Sequence, residues 1–171
     1  MRLRMVMFAF ACALAEPACD LLMGVHDIID HGPIYFNSFE SAEDTVGWQG
    51  YGDREFRLDA PAGGGAQSLF VSGGCIAPHA WVEFTAPEKE TRLRLKCWGK
   101  MLVNGGSVGL FFKDSLFHRG ISISVTDSLW RPYHSTDSLV CPANTALRLE
   151  MMSGGIIPGA MLVDVVEVTP I

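Results

Sequence analysis

The last third of the chain constrains the fold most. From Ile121 onward apolar residues alternate with polar ones, at Ile121, Ile123 and Val125, at Leu147, Leu149 and Met151, and at Leu162, Val166 and Val168. A period of two over short runs, broken by Pro, Gly, Asn and Asp, marks half-buried antiparallel strands. One residue of the final run breaks the rule. Asp164 falls on the apolar phase, and a carboxylate turned inward costs several kcal/mol unless a cation or hydrogen-bond donors meet it.

The same signal runs back through the chain. Strands are expected at Ile34–Phe39, Glu55–Leu58, Ser68–Ser72, His79–Thr85, Arg92–Val103, Ser107–Lys113, His118–Thr126, Arg131–Val140, Thr145–Met152 and Ala160–Thr169. Strong turn formers separate them: Pro61 with Gly63-Gly64-Gly65, Gly73-Gly74, Pro87, Asn104-Gly105-Gly106, Pro142 and Gly154-Gly155. Asn104-Gly105 between two apolar strands reads as a hairpin turn. Only a short helix around Leu21–Ile29 is expected. Many short strands at regular spacing predict an all-β protein, an antiparallel β-sandwich or barrel. With 171 residues, 49% of them hydrophobic and 19% charged, the chain holds one domain with a full core and is not disordered. That domain is placed at residues 33–171, behind a leader segment at 16–32.

Residues 1–15 read as a signal peptide. Arg2 and Arg4 precede an apolar run from Met5 to Leu14, and Ala13-Leu14-Ala15 fits the small-x-small cleavage rule. A mis-assigned start or a buried first strand is the plain alternative. The run is too short to span a bilayer, so the mature chain is not expected to insert. Export would make the protein secreted, periplasmic or displayed at the cell surface. Cleavage would remove two of the 13 basic residues and none of the 19 acidic ones, moving the formal charge from −6 to −8. It would also remove Cys12 and leave Cys19, Cys75, Cys97 and Cys141, which allow three pairings. Cys97 lies on the inward phase of a strand and reads as a core thiol. Cys75 and Cys141, near strand ends, are the favoured pair. The absence of CxxC and of any His/Cys cluster argues against a zinc site. With no basic run after Arg4, nucleic acid is not an expected partner.

Several short motifs resemble the carbohydrate-binding modules with a galactose-binding-like jelly roll, the type associated with xylanases and cellulases. The likeness runs in order from Asn37 to Ile171. Asn37-Ser38-Phe39-Glu40 is like the family's opening strand, with Gly47-Trp48 shortly after. Ser68-Leu69-Phe70-Val71-Ser72-Gly73 is like its Ser-Leu-x-Val strand, and Leu93-Arg94-Leu95-Lys96-Cys97-Trp98-Gly99-Lys100 like its central strand. Thr126-Asp127-Ser128-Leu129-Trp130 resembles its Thr-x-x-Trp turn with one extra residue. Leu147-Arg148-Leu149-Glu150 and Leu162-Val163-Asp164-Val165-Val166 close the series, though Val165 stands where the family carries a second acid. The resemblance implies a jelly roll of two packed sheets.

It also implies a structural calcium ion. Related modules hold one between a glutamate on the opening strand and an aspartate on the last, and the matching residues are Glu40 and Asp164. Ca²⁺ takes six to eight oxygen ligands in a forgiving geometry, and an inward Asp then becomes a ligand. The alternative is that Asp164 merely accepts backbone N–H bonds at a sandwich edge.

Alternation gives the residues that point outward. They are His79, Trp81 and Glu83 on one strand, Phe111 and Lys113 on the next, then His118, Ser122 and Ser124, and finally Arg148, Glu150 and Met152. If the family's strand order holds, these four strands form one sheet, and Trp81, Phe111, Arg148 and Glu150 share an exposed concave face. Aromatic rings cover the apolar patches of sugars, and charged side chains bond their hydroxyls. The candidate ligand-binding residues are therefore Trp81, Phe111, Arg148, Glu150 and Glu83. A loop, the leader or a protein partner covering the face is the competing reading. Trp98 points out from the other sheet and is expected under the Asp44–Asp59 loop. Trp130 reads as a core plug and Trp48 as structural packing. Tyr51 shares the Gly-rich loop of Trp48, where family members sometimes place ligand contacts.

Catalysis is not expected. The chain has no GxSxG, HExxH or phosphate loop, and its five histidines fall in no motif. Glu83 and Glu150 are acids, but a glycosidase needs two at a fixed separation across the scissile bond. The expected function is a non-catalytic module that binds a poly- or oligosaccharide, in association with other surface or enzymatic proteins. The alternative is a structural or adhesion β-sandwich that makes protein–protein contacts in a cell-surface assembly.

Overall fold

In the computed structural model, described over residues 32–51, 53–74, 80–115, 119–154 and 156–171, the predicted strands form two antiparallel sheets. The signal peptide and leader, Cys12, Cys19, Cys75, His79 and His118 lie outside the described residues. The strands are β1 (Tyr35–Asn37), β2 (Asp53–Arg57), β3 (Ser68–Gly73), β4 (Ala80–Thr85), β5 (Thr91–Val103), β6 (Gly106–Phe112), β7 (Gly120–Val125), β8 (Arg131–His134), β9 (Leu139–Cys141), β10 (Ala146–Ser153) and β11 (Gly159–Pro170). A 3₁₀ turn at Ala42–Thr45 is the one helical element among the described residues. No described helix is long and apolar enough to cross a membrane.

The larger sheet runs β2-β3-β11-β5-β8, with β1 also on β11 and β9 also on β5. The smaller runs β4-β10-β6-β7. The core lies between them. Leu93, Leu95 and Cys97 of β5 and Met161, Val163, Val166 and Val168 of β11 meet Val108, Leu110, Leu147, Leu149 and Met151 of the smaller sheet. Each of these strands carries its apolar residues at alternate positions, so one face of each sheet is greasy and the two must pack together. Cys97 is buried and free, and desolvation pushes its thiol pKa up to about 12, as a core thiol requires.

Three features depart from the sequence reading. The expected strand Arg131–Val140 is split into β8 and β9. Ser135 turns in at the break, where its Oγ accepts the Leu95 N–H (3.2 Å) and donates to the Asp137 carbonyl (2.8 Å). Asn104 and Gly105 do have the paired positive φ values (54° and 66°) of a tight turn. They do not close a hairpin, however, because β5 and β6 belong to opposite sheets, and the turn is a corner between layers. Cys141 is a buried free thiol, and the favoured pairing with Cys75 falls on a residue outside the described ones.

The third departure concerns Asp164. Between Asp164 and Glu167 the pairing of β11 with β5 slips by one residue, with Asp164 opposite Trp98 and Glu167 opposite Lys96. Val165 takes up the extra residue at φ 45°. Such a bulge inverts the phase of everything beyond it. Met161 and Val163 face the core before it, Val166 and Val168 after it. Leu162 and Asp164 consequently lie on the side of the sheet away from the core. Asp164 is nevertheless 0% exposed, covered by the loop that carries Pro61 and Gly64.

The packing predicts one clear outcome. Leu149 is fully buried and paired with Val82 on one side and Leu110 on the other. Leu149→Ala is expected to lower the unfolding free energy by about 2–5 kcal/mol in chemical denaturation, whereas Ser122→Ala on the exposed face of β7 changes it by less than about 0.5 kcal/mol.

Candidate functional site

The four expected strands do form one sheet, and its register arranges the outward side chains in rows. Glu83, Arg148, Phe111 and Gly120 stand side by side across β4, β10, β6 and β7. The next row is Trp81, Glu150, Gly109 and Ser122. With strands about 4.8 Å apart, Trp81 and Phe111 stand on strands about 10 Å apart, either side of β10.

Each aromatic has a specific seat. Phe111 lies down over the two positions that lack side chains, its ring against Gly109, while a Cβ at Gly120 would come within 2.6 Å of Phe111 Cδ1. Trp81 stands at the edge strand. Gln49 exchanges two backbone hydrogen bonds with it (2.8 Å each), which zips the 47–51 loop to that edge. Trp48 anchors the loop from beneath. It is buried, its ring edge meets Phe39 at 5.6 Å, and its indole N–H donates to the Tyr35 hydroxyl (3.1 Å). This is the structural packing expected of Trp48. The loop then delivers Tyr51, 80% exposed, to within 5.1 Å of the Trp81 ring. Tyr51 was legible only as a loop residue, since nothing in sequence links it to Trp81.

Between the rings lies a charged network. Glu83 Oε1 accepts from Arg148 Nη2 (2.7 Å) and Nε (3.1 Å), and Glu83 Oε2 faces Lys113 Nζ at 2.6 Å. Lys113 and then Arg148 hold the Glu83 carboxyl below its usual range. Arg148 Nη1 reaches Glu150 Oε1 at 3.5 Å, and the guanidinium sits 5.9 Å from the Trp81 ring centroid. The sequence reading placed Trp81, Phe111, Arg148 and Glu150 on one open face, with Glu83 as a further ligand candidate. The structure brings them together but corrects the exposure: Trp81, Glu83, Phe111 and Arg148 are half-buried, and Glu150 is only 4% exposed. Glu150 lies in its row between Trp81 and Gly109, with the Phe111 ring filling the space over Gly109 and the Arg148 guanidinium beside its carboxylate.

The two acids of the expected metal site also converge. Phe39 holds φ 54° with its N–H donated to Asn37 Oδ1 (2.8 Å) and its ring fully buried, which turns Glu40 toward the 61–67 loop. The Glu40 carboxylate accepts the N–H groups of Ala66 (2.9 Å) and Gln67 (3.1 Å). Asp164 Oδ1 accepts the Val165 N–H (2.7 Å), while Oδ2 is buried with no hydrogen-bond partner among the described residues. Gly64 abuts Asp164 and Gly65 abuts Glu40 so closely that neither tolerates a Cβ. Burial, and then the neighbouring Glu40 charge, raise the Asp164 pKa from 3.8 to about 7. An orphaned buried carboxylate oxygen beside a second acid fits a hard cation. Among the described residues no third His, Cys, Asp or Glu joins them, so backbone oxygens would have to complete the shell.

The remaining tryptophans differ from expectation. Trp98 lines an open groove with Pro132, Tyr133 and His134 rather than packing under the 44–59 loop. Trp130 is not a core plug: its indole N–H donates to Asp59 Oδ1 (2.8 Å), whose other oxygen accepts from Lys100 Nζ (2.6 Å). Both rings lie on the outer side of the larger sheet, where alternation tells outward from inward but not which loop comes back.

No family model matches the sequence, and no curated protein matches it either. Solved structures do. The CBM22-1 xylan-binding domain from Paenibacillus barcinonensis superposes with a TM-score of 0.58 at 16% identity, over 81% of this chain and 95% of that one. The N-terminal CBM22-1–CBM22-2 tandem domain from the same organism gives 0.53 at 18% identity, over 82% of this chain and 46% of that one. The CBM22-1–GH10 modules of a Clostridium thermocellum endo-1,4-beta-D-xylanase, complexed with xylohexaose, give 0.54 at 12% identity, over 81% of this chain and 29% of that one. The chain therefore has the jelly-roll fold of carbohydrate-binding modules.

The acid pair makes stability depend on pH with a definite sign. A folded pKa of about 7 against 3.8 means that, between those values, the folded chain keeps a proton the unfolded chain has lost. Stability of the metal-free protein should thus fall as pH rises from about 4 to about 7, by on the order of a few kcal/mol. Denaturant midpoints measured in a chelator at pH 5 and pH 8 check this, and Asp164→Asn should flatten the difference.

Proposed function

We propose that the protein is a non-catalytic module that binds a neutral poly- or oligosaccharide across the outer face of the β4-β10-β6-β7 sheet. The observation that carries this reading is the arrangement of two aromatic platforms around a guanidinium already fixed by two carboxylates. Pyranose rings would stack on Trp81, flanked by Tyr51, and on Phe111. Between them Arg148, Glu83 and Lys113 would offer hydrogen bonds to hydroxyls. Glu150 is too buried to touch a sugar, and its part would be to hold Arg148 in place. Preorganisation of this kind lowers the ordering cost of binding. The neighbours named for binding xylan or complexed with xylohexaose support the choice of a neutral glycan as first ligand to test.

The carboxylates themselves speak for binding without catalysis. A glycosidase acid must keep its proton near neutral pH. Glu83 is held in its ionised form by Lys113 and Arg148 instead. The adhesion alternative uses the same face, and the experiment separates them. Trp81→Ala should abolish retention on insoluble xylan while unfolding free energy changes by less than about 1 kcal/mol. Retention that survives the substitution would place the glycan elsewhere, and a collapse of stability would make Trp81 a structural residue.

We further propose that Glu40 and Asp164 hold a structural Ca²⁺. The ion would supply the positive charge that the pair lacks and pin the 61–67 loop to the last strand. Chelation should lower the melting temperature by several degrees, with calcium restoring it, because a ligand bound only to the folded state stabilises it by mass action. An unchanged melting curve would remove calcium from the account. The Arg2 to Ala15 segment has the composition to direct export, which supports a location outside the cell.

A further inference from the structure

The outward positions of β5 are, in unbroken succession, Arg92, Arg94, Lys96, Trp98 and Lys100. In sequence they are interleaved with the core residues Leu93, Leu95, Cys97 and Gly99, so no basic run is visible. The sheet gathers them on one strip of a chain whose formal charge is −6. Lys100 is committed to Asp59 at 2.6 Å. Lys96 lies 3.7 Å from Glu167, and both are partly exposed. Arg94 is different. Its Nε is buried and has no hydrogen-bond partner among the described residues, and a buried unpaired donor of this kind is costly unless a ligand satisfies it.

A groove of about 420 Å³ opens at this point, lined among others by Arg94, Lys96, Trp98, Pro132, His134 and Glu167. Trp98 and Pro132 are direct cross-strand partners and give the groove an apolar floor. The next pairs along, His134 with Lys96 and Lys96 with Glu167, give it a polar wall. The bulged Val165 also borders the groove. Among the described residues Glu167 is the one carboxylate of the lining, against Arg94, Lys96 and a histidine.

We propose that this groove is a second glycan site, on the sheet opposite the first, and that it takes an acidic, uronate-bearing polysaccharide. The pyranose ring stacks on Trp98 beside Pro132, and its carboxylate meets Arg94 and Lys96. Both halves of that chemistry are needed to use the site fully: a neutral sugar leaves the Arg94 donor unpaired, and a small anion leaves the indole face uncovered. Single-stranded nucleic acid also combines rings with negative charge. It would need a track of several phosphate contacts on a chain of net positive potential, and here the cations occupy one strip of an acidic molecule.

Affinity electrophoresis tests the site with three probes: polygalacturonate, neutral xylan and single-stranded DNA. Wild-type protein should be retarded by polygalacturonate, and less so as salt is added. The double variant R94Q/K96Q, both at positions of β5 that point away from the core, should bind polygalacturonate about tenfold or more weakly with its melting temperature unchanged. Trp98→Ala should do the same. Absence of retardation for the wild type, or equal retardation of R94Q/K96Q, overturns the proposal. So does DNA binding of equal strength lost through the same two residues. The xylan lanes report on the other sheet, so either site can fail alone and the failures are told apart.

Discussion

The pairing of β11 with β5 is the constraint on which the rest of the structure depends. These are the two longest strands, and they lie side by side at the centre of the larger sheet. β11 also carries β3 and β1 on its other edge, and β5 carries β8 and β9. Their inward residues supply one wall of the core. The single-residue bulge at Val165 lies inside this pairing and settles what each half of β11 shows to each side. Without it, Val166 and Val168 would face out and Asp164 would remain in phase with them. With it, both halves contribute valines to the core, and Asp164 is left on the outer side beneath the 61–67 loop.

The two faces of the sandwich then do different physical work. On the smaller sheet, side chains in register form a compact mosaic, ring, ion pair, ring, in which glycines at 109 and 120 make room for Phe111 to lie flat. Surface ion pairs of this sort contribute little to stability; their value is that Arg148 is held in one orientation by carboxylates on two sides. On the larger sheet the outer face is divided. Its Asp59 end is sealed by Lys100 and Trp130, which converge on a single carboxylate. Its Arg94 end stays open. The division explains why Trp98, an outward residue beside the sealed end, borders a groove.

Much of this was legible before any coordinates. Period-two alternation gave the strands, their inward residues and an all-β sandwich or barrel, because burial of one face leaves a direct mark on composition, and the family resemblance implied the two packed sheets. Alternation turned Trp81, Glu83, Phe111 and Arg148 outward, and the strand order implied by the resemblance put them on a common side. It failed where the answer depends on register or on a returning chain. Ser135 breaks a strand by bonding to the backbone of β5, a partner 40 residues away in sequence. Glu150 is buried between Trp81 and Gly109, neighbours supplied by strands distant in sequence. Tyr51 reaches Trp81 only because Gln49 pairs with the β4 edge.

By itself, then, the sequence determined which residues avoid water and with what period, and hence an antiparallel sandwich with Asp164 as its anomaly. The tertiary structure decided which side of the sheet Asp164 occupies, which outward rings are open, and that cations separated by leucines along β5 become neighbours on one surface. The physical reason is that alternation reports only the local choice between core and solvent. A one-residue slip between distant strands reverses that choice for everything beyond it, and no local pattern announces where the slip occurs.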